Sequence, residues 1–214
     1  MQRTLQPELL DSLAPDDPAA RHNRRDLRVI NRLMGRTPWF SRELARRVRP
    51  GEAVLELGAG TGELGSALAA RGLPCDGLDL WPRPASWPAQ CGWHQTDLRA
   101  FGNFGRYPVV IGNLILHQFG PAELAALGRQ LAGGPRLLLF SEPARRRHAQ
   151  LLCRIFLPLL GANYVSRHDA HVSIGSGFLG DDLPRALGLD PAAWLWTSQE
   201  TTLGAYRLIA WRRP

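Results

Sequence analysis

Residues Ala53 to Gly65 read AVLELGAGTGELG. Ala53, Val54, Leu55 and Leu57 suit a strand, Gly58, Gly60 and Gly62 fall at every second position, and helix formers follow. The pattern predicts a strand, a tight glycine turn and a helix. Residues without a Cβ reach unusual backbone angles and let a ligand come close, and the helix N-terminus beyond them offers unpaired N–H donors. The stretch therefore points to a nucleotide-like ligand at the end of this strand.

Strands and helices alternate on the C-terminal side of the turn. A helix over Glu63–Arg71 is closed by Gly72, a second strand within Leu73–Leu80 ends at Asp79-Leu80, and a loop rich in proline and tryptophan follows. A short third strand, Cys91–Gln95, runs into Thr96-Asp97-Leu98; Tyr107–Asn113 is apolar enough for burial on both faces. A helix over Pro121–Leu131 leads to a fifth strand, Arg136–Glu142, and then to a helix over Ala144–Leu160. Strands near Ala193–Trp196 and Gly204–Trp211 make an antiparallel pair. On the N-terminal side, residues 1–20 carry three prolines and several acids, as in a loosely packed arm. Leu27, Ile30, Leu33 and Met34 then fall at helical spacing within Arg21–Gly35, with arginines opposite, and Ser41–Val48 gives a short helix stopped by Pro50-Gly51. The expected architecture is α/β: a mostly parallel sheet covered on both faces, with residues 1–50 as a helical arm or lid and 51–214 as the catalytic domain.

Composition bounds the function. A chain of 214 residues fills one domain, and 44% hydrophobic with 21% charged residues is ordinary globular usage. The formal net charge of +7 invites a nucleic-acid partner. All 26 basic residues are arginine, however, which looks like a compositional bias and argues against a selected phosphate track. Cys75, Cys91 and Cys153 lie far apart with no CxxC spacing, against a disulfide framework or a metal site and in favour of a reducing compartment. The N-terminus lacks the apolar core of a signal peptide, and the greasiest segment, Leu151–Gly161, contains Arg154 and Pro158 and is far shorter than a membrane span. It reads as a core helix, a pocket wall, or a contact with a membrane or partner. The expected location is the cytoplasm; the oligomeric state has no signature.

Gly60 to Gly65 formally matches GxGxxG, and Asp79 follows Gly60 at about the 20-residue spacing of a dinucleotide site, so a nicotinamide or flavin enzyme is one reading. Two details separate it from that fingerprint: the turn starts at Gly58 after Glu56, and a second acid, Asp97, stands beside Leu98 after the third strand. Glu56-Leu57-Gly58-Ala59-Gly60-Thr61-Gly62, Asp79 and Asp97-Leu98 together resemble the cofactor site of class I S-adenosylmethionine-dependent methyltransferases, and the resemblance covers most of the chain. It implies a Rossmann-like sheet of seven strands, six parallel and one reversed, and S-adenosylmethionine as cofactor. Asp79 would accept from the ribose hydroxyls and Asp97 from the adenine amino group, with Leu80 and Leu98 near the ring and Asn113 at the end of the fourth strand completing the set.

The fourth strand ends in Gly112-Asn113-Leu114-Ile115-Leu116-His117-Gln118-Phe119. It lacks the Asn-Pro-Pro-aromatic signature of amino-group methylation and resembles the Leu-His-His-Phe segment of small-molecule methyltransferases, with Gln118 in place of the second histidine. Tyr107-Pro108 stands where Phe-Asp is common. Further on, Arg167-His168-Asp169 with Ser173-Ile174, Phe178 and Asp182-Leu183 resembles a pattern of bacterial methyltransferases encoded beside type III polyketide synthases, Asp182 replacing the usual Glu. The resemblance implies a small acceptor, a hydroxylated aromatic or pyrone, methylated on oxygen or carbon. Such a transfer needs alignment and, for a neutral hydroxyl, a base; His117 and His168 are the candidates, histidine being largely neutral near pH 7. Each also reads as a packing or turn-stabilising residue. Trp39, His171 and Phe178 are the candidate acceptor contacts. An RNA- or ribosome-directed methyltransferase and a non-catalytic cofactor binder are the alternative readings.

Overall fold

The computed structural model describes residues 1–14 and 16–214, and its described strands form one seven-stranded sheet. The strands are β1 (Val54–Leu57), β2 (Asp76–Asp79), β3 (Trp93–Gln95), β4 (Val109–Asn113), β5 (Leu137–Pro143), β6 (Trp194–Glu200) and β7 (Ala205–Arg212). Their order is β3-β2-β1-β4-β5-β7-β6; β7 alone runs against its neighbours, as expected from the sequence. The chain leaves β1 towards β2 on one side, while β4 lies on the other. The crevice outside the carboxyl ends of β1 and β4 is thus the switch point where open α/β sheets bind ligands. In-register pairing brings Gly58, Asp79, Asn113 and Ser141 to that edge.

Alternation along the buried strands divides their side chains between two cores. Leu55, Leu57, Val110, Leu138 and Phe140 pack on one face; Val54, Ile111, Leu137 and Leu139 pack on the other. The same parity sends Glu56 to the Val54 face, Ser141 to the Leu139 face and Glu142 to the Phe140 face.

Seven helices flank the sheet among the described residues: α1 (Pro18–Leu33), α2 (Arg36–Arg47), α3 (Glu63–Ala69), α4 (Pro121–Leu131), α5 (Arg147–Leu159), α6 (Tyr164–Ser176) and α7 (Asp182–Ala186). Helix α1 starts before the expected Arg21 because the Asp17 carboxylate accepts from the Ala19 amide and Pro18 fits the first helical position. Helix α2 starts at Arg36, ahead of the expected Ser41, since Pro38 sits in its first turn, where a missing N–H costs no hydrogen bond. It buries Trp39, Phe40 and Leu44 in the Val54 core and so joins the N-terminal segment to the sheet.

Three segments differ from the sequence reading. The arm expected to be loose is docked: the Arg3 guanidinium donates to the carbonyls of Ser176, His117 and Phe119, and the amides of Leu9 and Leu10 donate to Asp169. Pro15, one of its three prolines, lies outside the described residues. Residues 164–176, to which the sequence reading assigned no helix or strand, form α6, whose N-cap Asn163 accepts from the Ser166 amide at 2.9 Å. Helix α5 is not a core helix: Ala149 and Leu157 are buried, while Leu151, Leu152, Ile155, Phe156, Leu159 and Leu160 face solvent. No helix among the described residues is long and apolar enough to cross a membrane.

Candidate active site

At the ends of β1 and β2 the glycine turn has the conformation its composition demands. Gly58, Gly60 and Gly62 have φ of 61°, 53° and 77°, values that side-chain-bearing residues reach only with strain. Their surroundings differ. A Cβ on Gly58 would lie 2.7 Å from the Ile115 side chain, and one on Gly62 would lie 2.8 Å from Trp87, whereas one on Gly60 would meet nothing closer than the Gly58 carbonyl at 3.9 Å. Gly60 is therefore the point where bare backbone faces open space. Its amide donates to Asp79 Oδ2 at 2.7 Å, and Asp79 Oδ1 accepts from the Trp81 amide at 2.9 Å. Two bonds leave a carboxylate with further acceptor positions.

Beneath the turn, Glu56 is 3% exposed. Burial and the nearby Asp79 push its carboxyl up to about 8, against the Gly65 backbone N–H. A Cβ on Gly65 would lie 2.3 Å from Trp87 and 2.9 Å from Glu56 Oε2. The last glycine of the formal GxGxxG thus makes room for a tryptophan and a carboxyl group, which explains it without a pyrophosphate. Trp87, from the Trp81–Pro88 loop, is buried over Gly62, Gly65 and Gly77 and donates through Nε1 to the Gly92 carbonyl.

Beyond β3, Asp97 caps a single 3-10 turn, Leu98–Ala100: Oδ1 accepts from the Arg99 amide and Oδ2 from the Arg99 guanidinium at 3.0 Å. These bonds hold its carboxyl below the usual range, the Arg99 amide acting most strongly. Leu98 is buried in the Leu55 core, and Leu80 is 61% exposed. A groove of about 240 Å³ along α4, lined by Leu98, Arg99, Phe119 and Ala126, reaches the Asp97 turn but includes none of Gly58, Gly60 and Asp79. The glycine turn, with its open backbone at Gly60 and the carboxylate tied to it, is the better-built ligand edge.

The ends of β4 and β5 carry a second cluster, made of side chains. Asn113 Oδ1 accepts from Arg36 Nη1 at 3.2 Å, and the same nitrogen donates to the Ser141 carbonyl and hydroxyl. Arg36 is buried; desolvation lowers its guanidinium to about 10 despite Glu142. Its Nε is buried with no hydrogen-bond partner among the described residues, which is costly for a guanidinium unless something else accepts from it. Leu114 follows with a φ of 58°, the one positive value at a non-glycine among the described residues, and turns the chain sharply off the strand.

That turn aims three successive amides at Glu142, which is fully buried. Oε1 accepts from Ile115 at 3.2 Å and Leu116 at 2.9 Å; Oε2 accepts from the His117 amide at 3.3 Å and from His117 Nδ1 at 2.8 Å. On its other side His117 Nε2 donates to Glu8 Oε1 at 3.2 Å. Burial disfavours a charged imidazole, but bonds to Glu142 and Glu8 outweigh it and raise His117 to about 9. In this arrangement His117 is an imidazolium at neutral pH, with both nitrogens donating.

The remaining candidates make none of these bonds. His168 is partly exposed on α6 with Nδ1 3.1 Å from Asp169 Oδ1, and His171 is exposed. Trp39 and Phe178 are 3% and 1% exposed, one in each core, beneath the surface of the edge. Sequence reading missed Glu142, Glu8 and Arg36. An acid ending the most apolar strand was a usable signal for Glu142; the other two had none.

Comparison with solved structures gives a consistent fold. The chain matches the plantazolicin methyltransferase BpumL in complex with S-adenosylhomocysteine (TM-score 0.69, 10% identity, 93% of this chain and 92% of that one). It also matches the methyltransferase domain of bacterial CtHen1 (0.61, 14%, 82% and 96%). A third match is the magnesium protoporphyrin IX methyltransferase ChlM from Synechocystis PCC 6803 with bound S-adenosylhomocysteine (0.56, 19%, 89% and 86%). No family model and no curated protein matches the sequence. The fold is that of the S-adenosylmethionine-dependent methyltransferases.

Proposed function

We propose that the chain is an S-adenosylmethionine-dependent methyltransferase acting on a small hydroxylated aromatic or pyrone acceptor, at oxygen or carbon, as in the enzymes beside type III polyketide synthases that it resembles. The observation that carries the reading is the open Gly60 backbone tied to Asp79 at the switch point of this sheet. Two further features suit an amino-acid nucleoside: the spare acceptor positions of Asp79 for ribose hydroxyls, and the unpartnered Arg36 Nε for a carboxylate. When bound, the cofactor supplies an electrophilic methyl group on a sulfonium.

The chain's own residues supply the rest. Asp97 and the neighbouring Leu98 and Leu80 take the adenine end, Glu56 supports the glycine turn from below, and Arg36 fixes Asn113 next to the cofactor's amino-acid end. Transfer from a sulfonium needs alignment above all. For a hydroxyl acceptor His117 is the base in preference to His168, because Glu142 fixes the ring from behind. It can accept a proton at Nε2 only after Glu8 withdraws and the imidazolium loses its proton. The N-terminal segment, residues 1–50, is then the lid, and its first residues must move for an acceptor to enter.

Labelled methyl transfer from S-adenosylmethionine to a panel of phenols and hydroxypyrones tests the reading. Turnover of one member, abolished in His117→Asn and kept in His168→Asn, is the expected outcome; no transfer to any member counts against this acceptor class.

A further inference from the structure

Glu8 sits in a seat made for an anion. Three donors converge on its carboxylate: His117 Nε2 on Oε1 at 3.2 Å, Gln118 Nε2 on Oε2 at 3.5 Å, and the Ser173 hydroxyl of α6 on Oε1. The Glu8 side chain is 14% exposed and that of His117 4%. Behind the seat, Glu142 and the amides it binds hold His117 Nε2 outward whether or not Glu8 is present. Of these donors His117 is buried, Ser173 half-buried and Gln118 exposed, so it is the His117 Nε2 that would be left buried and unpaired if Glu8 left with nothing in its place.

What fills the seat is a piece of chain without regular structure, docked by side-chain bonds on either side of Glu8. Residues 1–8 contain no helix or strand and are held by the Arg3 side chain and one backbone bond from Thr4 to the Gly175 carbonyl. The seat also adjoins the ligand edge: Ile115, two residues before His117, packs against Gly58. The seat and the glycine turn thus belong to the same edge of the sheet.

We propose that this seat is the acceptor's anion subsite, with Glu8 as its internal occupant: a carboxylate on the methyl acceptor displaces Glu8 from His117, Gln118 and Ser173. The word acceptor rests on the methyltransferase reading; the anion subsite rests on the three donors alone. The substrate class narrows accordingly to aromatic hydroxy acids, for which His117 Nε2 holds the carboxylate, so that its role as base applies only to an acceptor without one; a neutral phenol must displace Glu8 without replacing its charge.

The test is calorimetric titration of the full chain with 4-hydroxybenzoate and with its neutral counterpart 4-hydroxybenzamide, with S-adenosylhomocysteine titrated in parallel. Glu8→Ala is expected to bind the benzoate at least tenfold tighter than the unaltered chain, with a clearly smaller gain for the benzamide. Should Glu8→Ala lose its cooperative melting transition, Glu8→Gln carries the same expectation, and adding Ser173→Ala to it is expected to remove the gain. Equal benzoate affinity with and without Glu8, or equal gains for acid and amide, overturns the subsite. Binding of S-adenosylhomocysteine without the benzoate gain sinks the subsite and spares the methyltransferase reading; the benzoate gain without S-adenosylhomocysteine binding does the reverse.

Discussion

The β1–β2 end and the β4–β5 end of the same edge are built on opposite principles. The first is backbone: glycines at positive φ, open space above Gly60, and Asp79 bonded to two amides. The second is side chains gathered from distant segments, an arginine held by Asn113 and Ser141 and a histidine balanced by carboxylates from β5 and the arm. A ligand on the first end meets a surface already shaped. On the second it would have to displace a charge already paired, which is why we propose that this end controls access and the first cofactor choice.

The largest difference is expected where a buried charge is orphaned. Glu142→Ala removes the acceptor of three amides and leaves His117 with Glu8 alone, which should cost about 3–5 kcal/mol in urea unfolding. A loss below about 1 kcal/mol would mean the cluster is not held from β5.

Within the glycine turn, two identical changes should part company. Gly65→Ala drives a methyl into Trp87 and Glu56 and should cost about 1–3 kcal/mol. Gly60→Ala meets open space and only the backbone penalty of about 1–2 kcal/mol, yet should abolish S-adenosylhomocysteine binding by filling the cradle. If Gly65→Ala alone loses the ligand, the open face has been placed at the wrong glycine.

Protonation separates the ends more gently. The carboxyl of Glu56, raised to about 8, stabilises the fold fully below its ordinary value near 4.5, and that contribution is lost as pH rises through 8. His117, raised to about 9, contributes fully below 6.5 and loses its share as pH rises through 9. Glu8, lowered despite its burial, acts in the opposite sense and only at the acid end, its contribution lost as pH falls below 4.5. The thermal midpoint should therefore fall steadily from pH 6 to 9.5. Glu56→Gln should flatten the part below 8 and leave the part nearer 9; an unchanged profile would deny Glu56 its proton.

The smallest effect is expected at Asp97. Asp97→Ala uncaps one exposed 3-10 turn, worth about 0.5–2 kcal/mol, and should weaken S-adenosylhomocysteine about tenfold if the carboxylate meets adenine. Unchanged affinity would leave Asp97 as a cap for Arg99.

The two ends also differed in how far the sequence disclosed them. The alternation of strands and helices, the antiparallel tail pair and the Gly58–Asp79 edge were legible because turn chemistry and apolar periodicity are local. Gly65 was legible as a glycine but not for its reason, since Trp87 reaches it from a loop with no periodic pattern. Helix α6 was missed because its polar residues, His168, Asp169, Ser173 and Ser176, interleave with Val165, Val172 and Ile174 without a clean apolar stripe. The pairing of His117 with Glu142 and Glu8 joins β4's exit, β5 and the arm; no local pattern encodes such a contact, and only the parity of β5 decides that Glu142 and not Ser141 faces it.

The central claim is that the Gly60–Asp79 edge binds S-adenosylmethionine. Calorimetric titration of the intact chain with S-adenosylhomocysteine should give saturable heat at one site, abolished by Asp79→Ala in a protein that still melts cooperatively. No heat with S-adenosylhomocysteine, together with saturable binding of a nicotinamide dinucleotide at the same edge, would contradict it.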